Sequence, residues 1–512
     1  MRKNLNVIAA YSIMMGLIIL VGIFQSWNIA LSIFNLCLIS AVMTMGANIQ
    51  WGYAGLINFG IMGFTALGGL AAVLISVDPV QEAWSAGGFN ILFSLFLIIA
   101  MVLAVRYILK NYKKSKNRTY IVAAIIILGI IIIRFISEPG VEAIEDVEEN
   151  IDPKNISSDY EKINCENLII APGLVDLRTQ IREPGQEHQD TIKSVSKSAS
   201  SGGVTSLLCM PNTNPVIDQP ALIHSIQRKA RDIALTKIYC AGCITRNLEG
   251  NEIAELQLMH ESGALGFTDV LNCIPNTRVM RRAFKYVKSF DGLIIQHPEE
   301  QNLKMDGVMN ESDISTRLGL KGIPFYAEPM VIQRDLWLVK ETNSRYHVNN
   351  VSTEASVKII RQAKKEGLRV TCDTAPQYFI LNELAVENYR TFAKLSPPLK
   401  NEKDRLAVID GLKDGTIDAI VSDHTPQDQD AKRLPFAQAE FGSVGLETLL
   451  ALTLNLVNES QISLSRALKL LSYNPSKILG IKSGEIKKNI DADLMIFDPK
   501  KSWKINPNDF YS

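Results

Sequence analysis

The sequence predicts a chain in two unlike parts, an all-α polytopic membrane segment followed by an α/β domain built as a (β/α)8 barrel. Three observations predict it. Between Asn4 and Val105 there is no Lys or Arg, and the only acids are Asp78 and Glu82, so this stretch lacks the charged surface a water-soluble domain carries. From about residue 152 the pattern changes to short β-branched runs alternating with amphipathic helical stretches, which is the pattern of a parallel α/β sheet. The 512 residues also exceed one compact domain at a prior of ~150 residues each.

Apolar runs at roughly 6–24, 29–48, 54–76, 90–108 and 120–136 are each about long enough to cross a ~30 Å hydrocarbon core, giving up to five spans. The first run is already span-length, which excludes a cleaved leader peptide. Arg106, Lys110, Lys113, Lys114, Lys116 and Arg118 crowd the loop before the last run, and the excess of basic residues places that loop in the cytoplasm. Span parity then puts everything after residue 150 on the opposite side, against the cytoplasmic chemistry expected of the barrel. The expected organisation is a membrane segment over 1–140, an acidic linker over 141–160, the barrel over 161–480 and partial sandwich strands over 481–512.

Charge is balanced, with 53 Lys and Arg against 53 Asp and Glu, which argues against nucleic acid as a partner. The seven cysteines are scattered, as in a reducing compartment, and Cys240 and Cys243 read as two small buried residues. Expected strands are Leu168 to Val175, Val204 to Cys209, Leu293 to Gln296, Tyr346 to Val348, Leu368 to Cys372 and Ala419 to Val421, with a helix from Glu354 to Glu366. In such barrels the chemistry sits at the C-terminal strand ends, so the residues just after each strand are the ones to question.

The run Trp51-Gly52-Tyr53-Ala54-Gly55-Leu56-Ile57-Asn58-Phe59-Gly60, followed by Gly63, Gly68 and Gly69, resembles the permease subunit of branched-chain amino acid ABC transporters, in a truncated form. Further along, the chain resembles a dihydroorotase of the cyclic amidohydrolase superfamily over about 155–512. The resemblance rests on Pro172-Gly173-Leu174-Val175-Asp176-Leu177-Arg178-Thr179-Gln180-Ile181-Arg182-Glu183-Pro184-Gly185, Met210-Pro211-Asn212-Thr213-Asn214-Pro215, Val351-Ser352-Thr353 and Ser422-Asp423-His424-Thr425-Pro426. Gly322-Ile323-Pro324 with Ala327-Glu328, Ser396-Pro397-Pro398-Leu399-Lys400 and Gly445-Leu446-Glu447-Thr448 continue it in the family's order.

The resemblance implies interconversion of dihydroorotate and N-carbamoyl-L-aspartate in de novo pyrimidine biosynthesis, by a zinc-activated water. It also implies a His-x-His pair after the first barrel strand, where this chain has Arg178 and Gln180. An arginine offers no lone pair, and a glutamine amide is a poor zinc ligand. A further ligand histidine is replaced by Asn350, the Pro-His-His motif reads Pro376-Gln377-Tyr378, and the last histidine of Asp-His-Ala-Pro-His is Gln427. Asp269, His297 and Asp423 remain at metal positions, Asp423 being also the family's proton shuttle, and an Arg178 guanidinium paired with Asp423 or Asp269 would fill the charge left by the metal. Arg182 and Asn212 match the residues that hold the substrate carboxylate, while Ser396 stands where the family often has Asn. His188, His224, His260 and His347 fall away from ligand positions, and His424 is expected to orient a neighbour.

The leading expectation is a catalytically inactive dihydroorotase-like barrel with little or no zinc, acting as a scaffold for aspartate carbamoyltransferase. Alternatives are an active cyclic amidohydrolase with an atypical metal site, a membrane transport component, and a non-functional fusion. Membrane lipid around the N-terminal segment and a homo-oligomer complete the expected partners. With its N-terminal strands displaced by the membrane segment, the sandwich is expected to leave open edges and exposed apolar faces around a strand at Ala492 to Phe497.

Overall fold

The computed structural model divides into two units, Met1–Gly140 and Val141–Ser512. It describes Ile144, Val147 and residues 162–511. The expected membrane spans, the glycine-rich run and nearly all of the 141–160 linker lie outside the described residues. Among the described residues no helix is long and apolar enough to cross a membrane.

The second unit is built on an eight-stranded sheet. In chain order the strands of this unit are β1 (Ile169–Pro172), β2 (Leu174–Thr179), β3 (Val204–Cys209), β4 (Lys237–Gly242), β5 (Ala264–Phe267) and β6 (Leu293–Gln296). They continue as β7 (Met309–Asn310), β8 (Gly322–Ile323), β9 (Arg345–Val348), β10 (Val370–Thr374), β11 (Ala419–Ile420) and β12 (Leu494–Phe497). The barrel order is β11-β10-β9-β6-β5-β4-β3-β2, and every adjacent pair is parallel.

The seam between β2 and β11 is drawn together beyond their ends. Thr179 bridges His424, and Gln180 N–H donates to His424 O at 2.9 Å. Asp176, buried in β2, accepts from Ser422 N at 2.7 Å and Ser422 Oγ at 2.6 Å, and from Thr179 Oγ1. Burial raises the Asp176 pKa, although these donors favour the carboxylate. The barrel is thus nearly closed, with a carboxylate fixing its last seam.

Alternation along the strands explains why both sheet faces are buried. Leu174, Leu207 and Ile294 join a cluster shared with the helices, whereas Val175, Leu208 and Ile295 belong to a second cluster. The outer layer includes α1 (Ile192–Ser201), α2 (Pro220–Ile233), α3 (Thr277–Val287), α4 (Ala327–Thr342), α5 (Glu354–Lys365) and α6 (Glu402–Asp414). Thr191 caps α1 in a reciprocal capping box with Ser194, and Thr353 caps α5. These caps fix the chain where the βα loops enter their helices.

One expected strand is two. The run Leu168 to Val175 breaks at Gly173, because β1 belongs to a different sheet from β2. Gly173 N–H donates to Asp493 O at 2.8 Å, and a Cβ at Gly173 would lie 2.2 Å from the Thr205 side chain. Only glycine passes that close to β3. The expected strand at Leu368 is shifted, to Val370–Thr374, and β4 and β5 were not anticipated.

Outside the barrel, β1 pairs antiparallel with β12, whose start is Leu494 rather than Ala492. Ile170 and Ile496 on this ribbon are 48% and 42% exposed. The ribbon is two-stranded among the described residues and carries the exposed apolar face expected of a partial sandwich.

Candidate active site at the barrel mouth

The loops after β2, β5, β6, β9 and β11 bring the expected site residues to the C-terminal end of the barrel. Several sit in the left-handed backbone region, with φ of 56° at Arg182, 55° at Val270, 52° at Asn350 and 51° at Asp423. Non-glycine residues there cost of order 1–3 kcal/mol each, and such strain gathers at functional sites.

Arg178 and Asp423 are joined across the seam: Arg178 Nε donates to Asp423 Oδ1 at 2.7 Å, with both side chains buried. The other Asp423 oxygen accepts from Gln377 Nε2 at 3.0 Å. The Asn349 amide is oriented by its neighbours, its oxygen accepting from Arg178 Nη1 at 3.0 Å and its nitrogen donating to Asp373 Oδ2 at 3.0 Å. Of the two partners foreseen for Arg178, Asp423 is the one it takes.

Asp269 is committed elsewhere. It accepts from Ile244 N at 2.9 Å, Thr245 N at 3.0 Å and Thr245 Oγ1, so it clamps the loop after β4. Burial pushes its carboxyl up to about 6 against those hydrogen bonds.

His297 belongs to a third arrangement. Its Nε2 lies 3.2 Å from Ser396 Oγ and 3.7 Å from Glu299 Oε2. Ser396 Oγ gives its proton to Glu299 Oε2 at 3.0 Å and accepts from Lys304 Nζ at 3.1 Å. The ring therefore carries its hydrogen on Nε2, leaving Nδ1 as a buried lone pair without a partner among the described residues. Burial lowers the His297 pKa, and the Arg178 charge adds to that against the opposing Glu299 bond. Burial opposes ionisation of Glu299, but Lys304 and His297 overcome it and hold the carboxyl below the usual range.

The residues expected to hold substrate are also occupied within the protein. Asn212 Nδ2 donates to Gln180 Oε1 at 3.0 Å. Arg182 Nε donates to Pro426 O at 3.2 Å and its Nη1 to Gln186 Oε1 at 3.3 Å. Burial lowers the Arg182 pKa, opposed by Glu440, Asp190 and Asp428. Gln427 donates to Phe441 O at 2.7 Å and takes no part in a ligand set. His424 is 3.3 Å from Asp190 Oδ2 and accepts Gly445 N–H at 3.3 Å, the orienting role expected of it.

Among the described residues no group of three or more His, Cys, Asp or Glu side chains is placed to hold a metal ion. Asp269, His297 and Asp423 each serve a separate partner set, and the fixed Arg178 charge opposes a dication at Asp423. These residues do not fit the zinc that the family resemblance implies. Sequence reasoning missed Asn349 and Asp373, and it quoted Glu328 in a motif without giving it a role. Glu328, at the start of α4, accepts from Ser352 N at 3.0 Å, Thr353 N at 3.2 Å, Thr353 Oγ1 at 3.1 Å and Ser352 Oγ, fixing the loop that follows Asn350. Glu328 itself was visible in the Ala327-Glu328 motif, but not this contact.

A family model described as dihydro-orotase-like matches residues 167–356. A dihydroorotase from Syntrophus aciditrophicus is 42% identical over 70% of this chain and 84% of its own length. One from Geobacter sp. is 43% identical over 67% and 81%, and one from Ehrlichia chaffeensis 42% identical over 69% and 78%. The fold is similar to that of L-hydantoinase from Arthrobacter aurescens, at TM-score 0.58 and 26% identity over 66% of this chain and 79% of that one. It is also similar to dihydropyrimidinase from Brevibacillus agri, at TM-score 0.62 and 21% identity over 72% and 84%. The chain belongs to the dihydroorotase family of hydrolases acting on cyclic amides.

Proposed function

We propose that this barrel has given up metal-dependent hydrolysis of dihydroorotate and serves as a structural subunit for aspartate carbamoyltransferase, the enzyme of the preceding carbamoyl-transfer chemistry. The observation that carries the reading is the Arg178–Asp423 pair: the family's shuttle carboxylate is neutralised by a guanidinium at a former ligand position. A carboxylate whose two oxygens are held by Arg178 Nε and Gln377 Nε2 is poorly placed to take a proton from a nucleophilic water. Membrane attachment through residues 1–140 is part of the same proposal, and so is a homo-oligomeric state. One observation favours the active alternative, the buried His297 Nδ1 lone pair.

The test uses the purified full-length chain. Expected are no stoichiometric zinc by elemental analysis, no turnover in either direction, no change in Tm with chelator or added zinc, and co-elution with the carbamoyltransferase of the same source. A bound metal ion would raise Tm by mass action. Stoichiometric zinc with turnover abolished by Asp423→Ala would establish the active alternative, and absence of any complex would remove the scaffold.

A further inference from the structure

A second chemically organised group lies at the opposite end of the barrel. His347 and Thr371 are register partners on β9 and β10. Asp373 lies two residues beyond Thr371, on the same face, because side chains alternate along a strand. The three form a line, with His347 Nδ1 2.8 Å from Thr371 Oγ1 and His347 Nε2 2.9 Å from Asp373 Oδ2.

The chemistry of the partners fixes the protons. A carboxylate only accepts, so Nε2 carries the ring hydrogen and Nδ1 presents its lone pair to the threonine hydroxyl. Asp373 is itself held by Asn350 N–H, 2.5 Å from Oδ1. Hydroxyl, imidazole and carboxylate in that order are the arrangement that activates an oxygen nucleophile.

The hydroxyl also has somewhere to act. Thr371 is partly exposed, whereas His347 and Asp373 are buried. It lines a cavity of about 450 Å³ together with Arg345, Tyr346, Arg369 and Asn474. Arg369 is neutralised by Asp291 at 2.7 Å. Arg345 donates only to carbonyl oxygens, Asp291 O at 3.3 Å and Ile478 O, and pairs with no carboxylate among the described residues. Arg345 and Arg369 share the single Asp291 charge, and Asp418, which also lines the cavity, is held by Lys364 at 2.6 Å, so the two guanidinium groups leave an excess of positive charge that favours an anionic group beside them.

We propose that Thr371, with His347 as general base and Asp373 as its orienting carboxylate, hydrolyses small carboxylic esters that carry an anionic tail in this cavity. Thr371 Oγ1 bonds to the ester carbon while its proton passes to His347 Nδ1. The C–O bond to the leaving alcohol breaks, and that alcohol takes the proton. Water then attacks the acyl-threonine through the same imidazole, releasing the carboxylic acid and restoring the hydroxyl. No oxidant, metal or further reactant is consumed. Arg345 is the group that selects the anionic tail.

The test treats the full-length chain with p-nitrophenyl acetate and with a p-nitrophenyl ester bearing a terminal carboxylate, following p-nitrophenolate release and mapping acyl groups by peptide mass. Expected are acylation at Thr371, release slowed ~10²-fold or more in Thr371→Val and in His347→Gln, and retention in Thr371→Ser. Preference for the carboxylate-bearing ester should vanish in Arg345→Gln. A purely structural tie between β9 and β10 would give a different result: acyl groups only on lysine or cysteine, or release unchanged in a folded Thr371→Val protein, and either outcome overturns the proposal. Thr371→Val keeps side-chain volume, so its folding can be checked by circular dichroism alongside the wild type.

Discussion

The two ends of this barrel use the same kinds of side chain to opposite effect. At the C-terminal end, Arg178 and Asp423 pair with each other, and Asn349, Gln377 and Asn212 join the same polar surroundings, although Arg178 Nη2, Gln180 Nε2, His297 Nδ1 and the Asn350 amide have no partner among the described residues. At the N-terminal end, Thr371 and Arg345 line a cavity, the hydroxyl held by His347 and the guanidinium sharing the Asp291 charge with Arg369. Asp373 takes part in both, accepting from Asn349 and Asn350 toward the mouth and from His347 toward the cavity. The position of a polar group in a barrel thus says less about reactivity than whether its partners exhaust it. A closed ion pair is structure, while a polarised hydroxyl facing a cavity is available for chemistry.

The largest expected effect breaks the closed end. Removing one member of a buried ion pair leaves the other charge uncompensated, so Arg178→Met or Asp423→Ala should each lose ~3–5 kcal/mol in urea denaturation. The double variant Arg178→Met with Asp423→Leu should recover most of that loss, since replacing both charges by apolar groups is often neutral or stabilising. If both single variants are as stable as the wild type, the pair does not organise the mouth.

A smaller loss is expected from the carboxylate that fixes the neighbouring loop. Glu328→Gln keeps the shape but removes charge from a group accepting four donors, and should cost about 2 kcal/mol. Unchanged stability would mean that Ser352 and Thr353 find other acceptors. At the open end Thr371→Val should cost only about 1 kcal/mol, because it deprives His347 Nδ1 of one donor in a partly exposed place. A loss as large as that at Arg178 would erase the contrast between the two ends.

Much of this was legible in the sequence, for stated reasons. Short apolar runs with helical stretches between them marked most barrel strands, and Arg178, Gln180 and Asn350 stood out only against the ligand pattern that the family resemblance implied. The partner of Arg178 was narrowed to two acids but not chosen, since Asp423 is 245 residues away and the choice depends on the seam between β2 and β11. Asp269 looked like a ligand because its family position was visible, while its bonds to the loop after β4 were not. His347 was set aside as an ordinary histidine, because the register that places it beside Thr371 is a property of two paired strands. The break at Gly173 was missed because the apolar run continues through it, and only the approach to Thr205 shows that the chain changes sheets there.

The last comparison, of pH response rather than of a single stability, probes the strap that follows Asp423. Lys432 Nζ donates to Glu440 O and Gly442 O, each at 2.8 Å, and Lys394 Nζ donates to Ala437 O at 3.0 Å and Ala439 O at 2.6 Å. Burial pushes the Lys432 amine down to about 8, the Lys394 charge adds to this, and Glu440 opposes it. An amine with a lowered folded-state pKa binds fewer protons in the native than in the unfolded chain between about 8 and the ordinary 10.5. Its contribution to stability therefore rises as pH climbs through that window, because only the unfolded state still binds the proton. Neutral Lys432 keeps two N–H donors for its two carbonyls, so the strap need not open as the charge is lost. Comparing Tm at pH 7.5 and 9.5 should show the wild type gaining stability relative to Lys432→Met. An equal pH response in the two proteins would show that Lys432 carries no shifted titration and that the strap is held by its carbonyl bonds alone.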